Sequence, residues 1–282
     1  MTGLSPQRVK KCQDEGYLSP LDGIPRSEAE AIFRYVQEYE RSVPAAEAKK
    51  GLGTKSHLLH PPLYDLLFAP KVLDAVESVL GPNLLAWGSG FFYKKPRDGG
   101  YVSWHQDSTY WGLEPFDIVT AWVAMTPSRR ENGCMRVVPG THAKGQLPHA
   151  DTFDQRNLLS RGQEIQVKVD EKDARDIVLE PGQFSLHHVG IVHGSDPNDS
   201  DLPRYGFTIR YIPTYVRQIG GRTSAVLVRG KDEYGHYDPE PRPEKYGPEA
   251  NRVHEQAMAR VEGILYTGAA EKGRRVTATA AE

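Results

Sequence analysis

Residues 84–93 read LLAWGSGFFY, and five runs of the same kind follow: DIVTAWVAM (117–125), GCMRVV (133–138), IQVKV (165–169), QFSLHHV (183–189) and YGFTIRYI (205–212). Each is short, rich in β-branched and aromatic residues, and bounded by Gly, Pro, Asn or Asp, as strands between turns are. Between most of them no helical pattern of about 12 residues intervenes, so antiparallel pairing is expected in place of crossover helices. The reading is a mainly β protein with flanking helices, its core an eight-stranded, double-sheet jelly-roll barrel.

Outward from that core the pattern changes twice. Residues 1–83 read as helical support. Ser5 can cap a short helix, Ser27 with Glu30 makes a capping box before Ala31, Ile32, Tyr35, Val36 and Tyr39, and Val72–Leu80 is a further helix stopped by Gly81-Pro82. The core is expected over 84–215, with a long polar loop from Leu147 to Gln163 that is either a lid or simply exposed. Residues 216–268 are an extension: the Pro-rich connector DPEPRPEKYGP, then a helix striped by Val253, Ala257, Val261 and Leu265. Residues 269–282 read as a disordered tail. The whole chain is expected to form one domain.

Composition removes several classes of function. The 282 residues carry 35 Lys and Arg against 37 Asp and Glu, a net charge of −2, which lacks the basic surplus of a dedicated nucleic-acid binder. The most hydrophobic region, Leu80–Phe92, is broken by Gly81, Pro82, Asn83, Gly88 and Gly90, far short of the roughly 18 apolar residues a membrane span needs. MTGLSPQRVKKCQDEGYL has no apolar core or cleavage site, so a cytoplasmic address is expected. Cys12 and Cys134 match no paired-thiol or zinc spacing and read as one surface and one core thiol.

Ten histidines need sorting, and Trp104-His105-Gln106-Asp107 is where to begin. On an extended segment His105 and Asp107 share one face, about 6 to 7 Å apart, close enough to reach one ion. Imidazole plus carboxylate suits Fe(II) or another divalent first-row metal. The third ligand comes from His142, His149, His187, His188 or His193. His187 and His188 lie inside an apolar strand and suit core roles, whereas His193 opens the polar stretch HGSDPNDS at a strand end, where loops build sites. With His193 the set is a two-histidine, one-carboxylate triad that leaves three positions open. A keto acid and dioxygen can share those positions. A dicarboxylate such as 2-oxoglutarate then needs a guanidinium for its far end. Arg204, on the return strand, is the first choice; Arg210 is the second and is also a candidate substrate contact, and Ser195 can add a hydroxyl.

WHQD-x2-Y-W, TAWVAM, ENGCMRVVPGTH and HGSDPNDSDLPR, in this order, resemble the phytanoyl-CoA dioxygenase family of Fe(II)/2-oxoglutarate oxygenases. The resemblance covers Leu84–Pro213, with a weaker echo in DEGYL. It implies a double-stranded β-helix (jelly-roll, cupin-like) core. It also implies Fe(II) on His105, Asp107 and His193, the distal carboxylate of 2-oxoglutarate on Arg204 and Ser195, and Trp122 lining that cosubstrate. With O2 the implied outcome is hydroxylation of a C–H bond of a small or medium-sized metabolite, releasing succinate and CO2. Halogenating relatives lose the carboxylate of the H-x-D motif, and Asp107 is retained, so hydroxylation is expected over halogenation.

Asn132-Gly133 and Pro139-Gly140 read as turns that shape the barrel, leaving His142 structural. Tyr110 and Trp111 either overhang the open metal positions and touch substrate or form a hydrophobic plug. Two rivals stand beside the oxygenase: a metal-dependent cupin enzyme using no keto acid, which has no need of Arg204, and a β-barrel binding protein without catalysis, which has no tight Fe(II) site.

Overall fold

Along Arg204–Pro213 (β12) the side chains alternate in kind. Tyr205, Phe207, Ile209 and Tyr211 join one apolar cluster, while Arg204, Thr208 and Arg210 line a cavity on the other side. Val119–Ala124 (β5) repeats the pattern, with Val119, Ala121 and Val123 in the cluster and Thr120 and Trp122 on the cavity. Gln183–His188 (β10) does so again, Phe184 and Leu186 opposing His187. A pleated strand sends successive side chains to opposite faces, so these sequences build a sheet with one oily face and one polar face. The oily face binds helices and the polar face becomes the site.

The computed structural model describes residues 3–265, apart from the side chains of Thr109, Tyr110, Glu262 and Leu265. The expected disordered tail, 269–282, lies outside the described residues, and the side chain of Leu265 in the helical stripe is not described. With strands numbered along the chain, seven form the main sheet in the order β1 (Tyr17–Asp22), β10, β5, β12, β2 (Leu84–Lys94), β14 (Ser224–Arg229) and β15 (Asp238–Pro239). A second sheet runs β3 (Val102–His105), β11 (Val192–Ser195), β6 (Arg136–Val138) and β9 (Arg175–Asp176). Two short pairs, β4 (Leu113–Glu114) with β13 (Arg217–Gln218) and β7 (His149–Asp151) with β8 (Gln163–Ile165), complete the strands described. The helices are α1 (Pro6–Glu15), α2 (Arg26–Ser42), α3 (Ala45–Leu52), α4 (Pro61–Leu66), α5 (Pro70–Leu80), α6 (Ser108–Trp111) and α7 (Pro248–Leu265). Residues of α1 to α5 pack on the oily face, and Trp122 and Ala124 of the main sheet meet Met135 and Val137 of the second.

The jelly-roll expectation therefore holds as two facing sheets, with a qualification: the strands do not close into a barrel. The main sheet also reaches beyond the 84–215 window, taking in β1, β14 and β15. YLSPLD lacks a β-branched run and contains a proline, so residues 1–83 read as wholly helical. Pairing with the edge of β10 makes it a strand, with Leu18 and Leu21 buried. The Ser27–Glu30 capping box does not form. Pro25 precedes the helix, which starts a residue before Ser27, and Glu30 accepts from Arg26 Nε at 2.8 Å. Ser5 does cap α1, accepting from the Arg8 amide. One surface and one core thiol were expected; both are buried, Cys12 on the inner side of α1, and both thiols are free. Of IQVKV only Ile165 is in a strand, and the 147–163 loop carries β7 and is tied down, Ser103 Oγ donating to the Gln163 carbonyl at 2.6 Å.

A buried ionic cluster holds the C-terminal connector against the sheet. Lys55 Nζ, 1 % exposed, donates to the carbonyls of Trp87 (2.8 Å) and Ser224 (2.9 Å) and to the Glu240 carboxylate (2.5 Å). His57 Nε2 lies 2.7 Å from the other Glu240 oxygen, with Ser89 Oγ at 2.7 Å from its Nδ1. Glu240→Ala leaves Lys55 buried without its anion, and a loss of about 3–5 kcal/mol is expected in equilibrium denaturation at pH 7. Burial alone would raise the Glu240 carboxyl, but Lys55 and His57 bring it down to about 2 from 4.5. Its stabilisation is thus fully present above the ordinary value and lost as pH falls toward about 2. A denaturation midpoint in Glu240→Ala equal to that of the wild type would refute this account.

Candidate metal centre and cosubstrate cavity

His105 ends β3 directly opposite His193 on β11, and their rings lie 4.1 Å apart. The expected geometry is corrected in two places. The strand stops at His105, so Asp107 is not its neighbour on one strand face; it sits in a helical conformation just before α6. That turn swings the carboxylate back, Oδ1 to 3.3 Å from His105 Nε2 and Oδ2 to 4.0 Å from His193 Nε2. His193, for its part, does not stand at the end of one long strand: β10 stops at His188 and β11 is a separate strand in the other sheet. The potential ligand atoms of His105, Asp107 and His193 lie within 4.8 Å of one another.

The electronic state of the three groups follows from their partners. His105 Nδ1 donates to the Ser103 carbonyl (2.9 Å) and His193 Nδ1 to the Ile191 carbonyl (3.0 Å). A carbonyl only accepts, so Nδ1 carries the proton and Nε2 keeps its lone pair, as a metal-binding imidazole requires. Burial, and the neighbouring His105 imidazole, push His193 down to about 3, so it is neutral at physiological pH. Burial works to raise the Asp107 carboxyl, but the surrounding imidazoles of His105, His187 and His193 hold it well below the usual range. Two imidazole nitrogens and a carboxylate, converging with lone pairs inward, fit a divalent cation.

These groups line one cavity, shared with Trp122, Ser195, Arg204, Thr208 and Arg210. Arg204 is 2 % exposed, and its Nε and Nη2 have no hydrogen-bond partner among the described residues. Burial lowers its guanidinium to about 10, leaving it a cation. Its Cζ lies 5.4 Å from the Trp122 ring centroid. Gly206 makes room for that ring, since a Cβ there would meet Trp122 Cζ2 at 1.8 Å. Lys94, directly opposite Arg204 across β2 and β12, donates to Ser195 Oγ at 2.7 Å. Ser195 accepts there and keeps its own hydroxyl hydrogen for the cavity. A buried guanidinium with two unused donors beside a hydroxyl is a receptor for a carboxylate.

Every expected site residue with a described side chain, save Trp111, lines this cavity. Trp111 is not among the lining residues; its ring stacks between Trp87 (5.5 Å) and the Arg210 guanidinium (4.9 Å), closer to the plug reading. The side chain of Tyr110 is not among those described. His142 is structural, Nε2 lying 2.9 Å from the Gln13 carbonyl, and His188 Nδ1 accepts from the Gly190 amide. His187 departs from its expected core role: it lines the cavity, Nε2 lying 3.8 Å from Asp107 Oδ2. Lys94, Thr120 and His187 were missed because each is brought in by cross-strand register. The one available signal was the parity of β10 and β12, which sets His187 and Arg210 on the polar side.

Comparison with known proteins agrees with this geometry. The phytanoyl-CoA dioxygenase (PhyH) family profile matches residues 4–206, reaching from α1 through β1 and the whole ligand set. The phytanoyl-CoA dioxygenase domain-containing protein 1 homolog of Caenorhabditis briggsae is 28% identical over 176 residues, 60% of this chain and 61% of that protein. The chain thus spans about three-fifths of the length of that relative. Among solved structures, a non-heme monooxygenase, ThoJ in its apo form, is 35% identical with a TM-score of 0.83, over 92% of this chain and 97% of the other. CytC3, solved with Fe(II) and alpha-ketoglutarate, is 25% identical with a TM-score of 0.66, over 87% and 97%. A profile match over most of the chain, with the H-x-D motif and the distant histidine converging as that family's motif implies, has one reading: the chain belongs to the phytanoyl-CoA dioxygenase family.

Proposed function

We propose that this protein is a non-haem Fe(II)/2-oxoglutarate-dependent oxygenase that hydroxylates a C–H bond of a small or medium-sized metabolite, releasing succinate and CO2. The observation that carries the reading is the pairing, in one cavity, of three inward-facing ligand atoms with a buried guanidinium whose Nε and Nη2 are unused. A cupin enzyme without a keto acid gives no reason for that guanidinium, since an unpartnered buried cation is costly unless a ligand supplies its anion.

In this reading His105 and His193 through Nε2, and Asp107 through its carboxylate, hold Fe(II). Iron bound there with 2-oxoglutarate and O2 supplies the oxidising power for C–H cleavage. The rest is positioning by the protein. Arg204 grips the distal carboxylate with Nε and Nη2, Ser195 donates its hydroxyl, and Trp122 walls the cosubstrate from water. Lys94 holds Ser195 in place, and burial, then Arg204, pushes its ammonium down to about 6. The carbonyls of Ser103 and Ile191 fix the imidazole orientations. Retention of Asp107, which would bind the metal where halogenating relatives lack a carboxylate, favours hydroxylation over halogenation. A cytoplasmic address belongs to this reading, supported by two free, buried thiols. Among the described residues no helix is long and apolar enough to cross a membrane.

The direct test is succinate formation from 2-oxoglutarate by purified protein, with and without Fe(II), alongside anaerobic Fe(II) titration. Turnover that needs both iron and 2-oxoglutarate is expected; tight iron binding with no 2-oxoglutarate consumption against a broad metabolite panel sinks the proposal. Lys94→Met should raise the KM for 2-oxoglutarate by roughly 10- to 100-fold, the value of a hydrogen bond to a charged group. Iron affinity should stay as in wild type, and a KM unchanged by the substitution removes Lys94 from the site.

A further inference from the structure

One rung of the main sheet crosses the cavity with its polar groups unused. Arg210 on β12 is directly opposite Thr120 on β5, which is directly opposite His187 on β10. Thr120 and His187 are each 2 % exposed, and among the described residues neither Thr120 Oγ1 nor His187 Nδ1 has a hydrogen-bond partner. Among the described residues the Arg210 guanidinium has no hydrogen bond or ion pair; Trp111 covers one of its faces at 4.9 Å. Its in-plane N–H edge is left for something else. The stem of Arg210 lies across Gly88, where a Cβ would sit 3.7 Å from Cδ, and a register shift follows it in the pairing with β2. Bulges of this kind re-aim a side chain beside a site.

This rung is not the cosubstrate site. Arg204 and Arg210 are six residues apart on one strand, roughly 20 Å along the backbone, more than a five-carbon diacid can bridge. The rung does adjoin the metal centre, because His187 Nε2 is 3.8 Å from Asp107 Oδ2 and Asp107 is the charge that Arg210 feels. From His187 to Arg210 the rung is two strand spacings wide, roughly 10 Å, the scale of a small molecule.

We propose that Arg210, Thr120 and His187 form an oxyanion-binding rung that seats the substrate, so that the molecule oxidised carries a carboxylate or phosphoryl group held on the side of the metal away from Arg204. The proposal rests on the oxygenase reading and names its substrate class. Arg210 supplies a permanent, planar cation shaped for either oxyanion, Thr120 adds a hydroxyl donor, and Trp111 keeps the guanidinium in its plane. Both anions present the same oxygen edge, and experiment separates them.

Fluorine NMR on the full chain, anaerobic with Fe(II) and saturating 2-oxoglutarate, reads binding of 4-fluorobenzoate, 4-fluorophenylphosphonate and the neutral 4-fluorobenzamide. At least one anion should bind about tenfold or more tightly than the amide, as charge-assisted bonds require; the tighter of the two identifies the group. Arg210→Gln should abolish that preference, and the near-isosteric Thr120→Val should reduce it, which covers the case where the arginine variant fails to fold. Equal binding of anions and amide, binding by none of the probes, or a preference untouched in both variants overturns the rung. So does an effect of Arg210→Gln on 2-oxoglutarate affinity in place of anion affinity. Iron-dependent 2-oxoglutarate consumption by wild-type protein is the separate arm: its absence defeats the oxygenase reading, whereas its presence with no anion preference defeats the rung alone.

Discussion

Asp107→Ala is expected to abolish iron-dependent consumption of 2-oxoglutarate and to weaken Fe(II) binding by more than the roughly 100-fold that loss of an outer-sphere partner costs. Asp107 is the one carboxylate in the His105–Asp107–His193 group, and its oxygens are 3.3 and 4.0 Å from the two imidazole Nε2 atoms. Removing it leaves two neutral donors around a dication and no negative charge among the ligands. The fold should survive, because His105 and His193 keep their carbonyl partners and their cross-strand pairing. Anaerobic calorimetric titration checks the metal, and a succinate assay checks turnover. An Asp107→Ala protein that binds Fe(II) as the wild type does would remove Asp107 from the ligand set.

Arg204→Ala should raise the KM for 2-oxoglutarate by about 30-fold to several thousand-fold, the equivalent of the 2–5 kcal/mol lost when one partner of a buried charge pair is truncated. Arg204→Lys keeps the charge but loses the planar fork, so it should recover only part of that affinity. Stability separates this from simple misfolding. Without ligand, the Arg204 Nε and Nη2 donors are buried and unused, so Arg204→Ala should melt no lower than the wild type. Added 2-oxoglutarate should raise the melting temperature of the wild type and not of the variant. Equal stabilisation of both by 2-oxoglutarate would place the distal carboxylate elsewhere.

The iron ligands proposed here were legible in the sequence, but for partly different geometric reasons. H-x-D was read as two residues on one strand face; in the structure the strand ends at His105 and a helical turn brings Asp107 back. His193 was read as the end of a long strand and is the middle of a short one in the opposite sheet. Motif chemistry survived the wrong local geometry because the donor types alone restrict what can converge. The residues that did not show were those whose partners are distant in sequence. Lys94 reaches Ser195 across 101 positions, and Thr120 meets Arg210 only through register. YLSPLD has no strand signal of its own and becomes one by pairing with β10.

By itself, then, the sequence determined what is local: the strand runs with their period of two, the turns at Gly133 and Gly140, the cap at Ser5, and the chemical kinds of ligand available. The alternation along β5, β10 and β12 lies in the sequence, and the structure shows which parity is apolar and which lines the cavity. Tertiary structure decided which polar residues share a rung, that the two sheets face without closing, and that Arg204 and Arg210 stand at separate places in one cavity. The physical reason is that register and sheet packing are set by the burial of many side chains at once. Shifting a strand by one residue exchanges its two faces, and only the whole oily face packed under the helices selects the alignment in which Arg210, Thr120 and His187 look inward together.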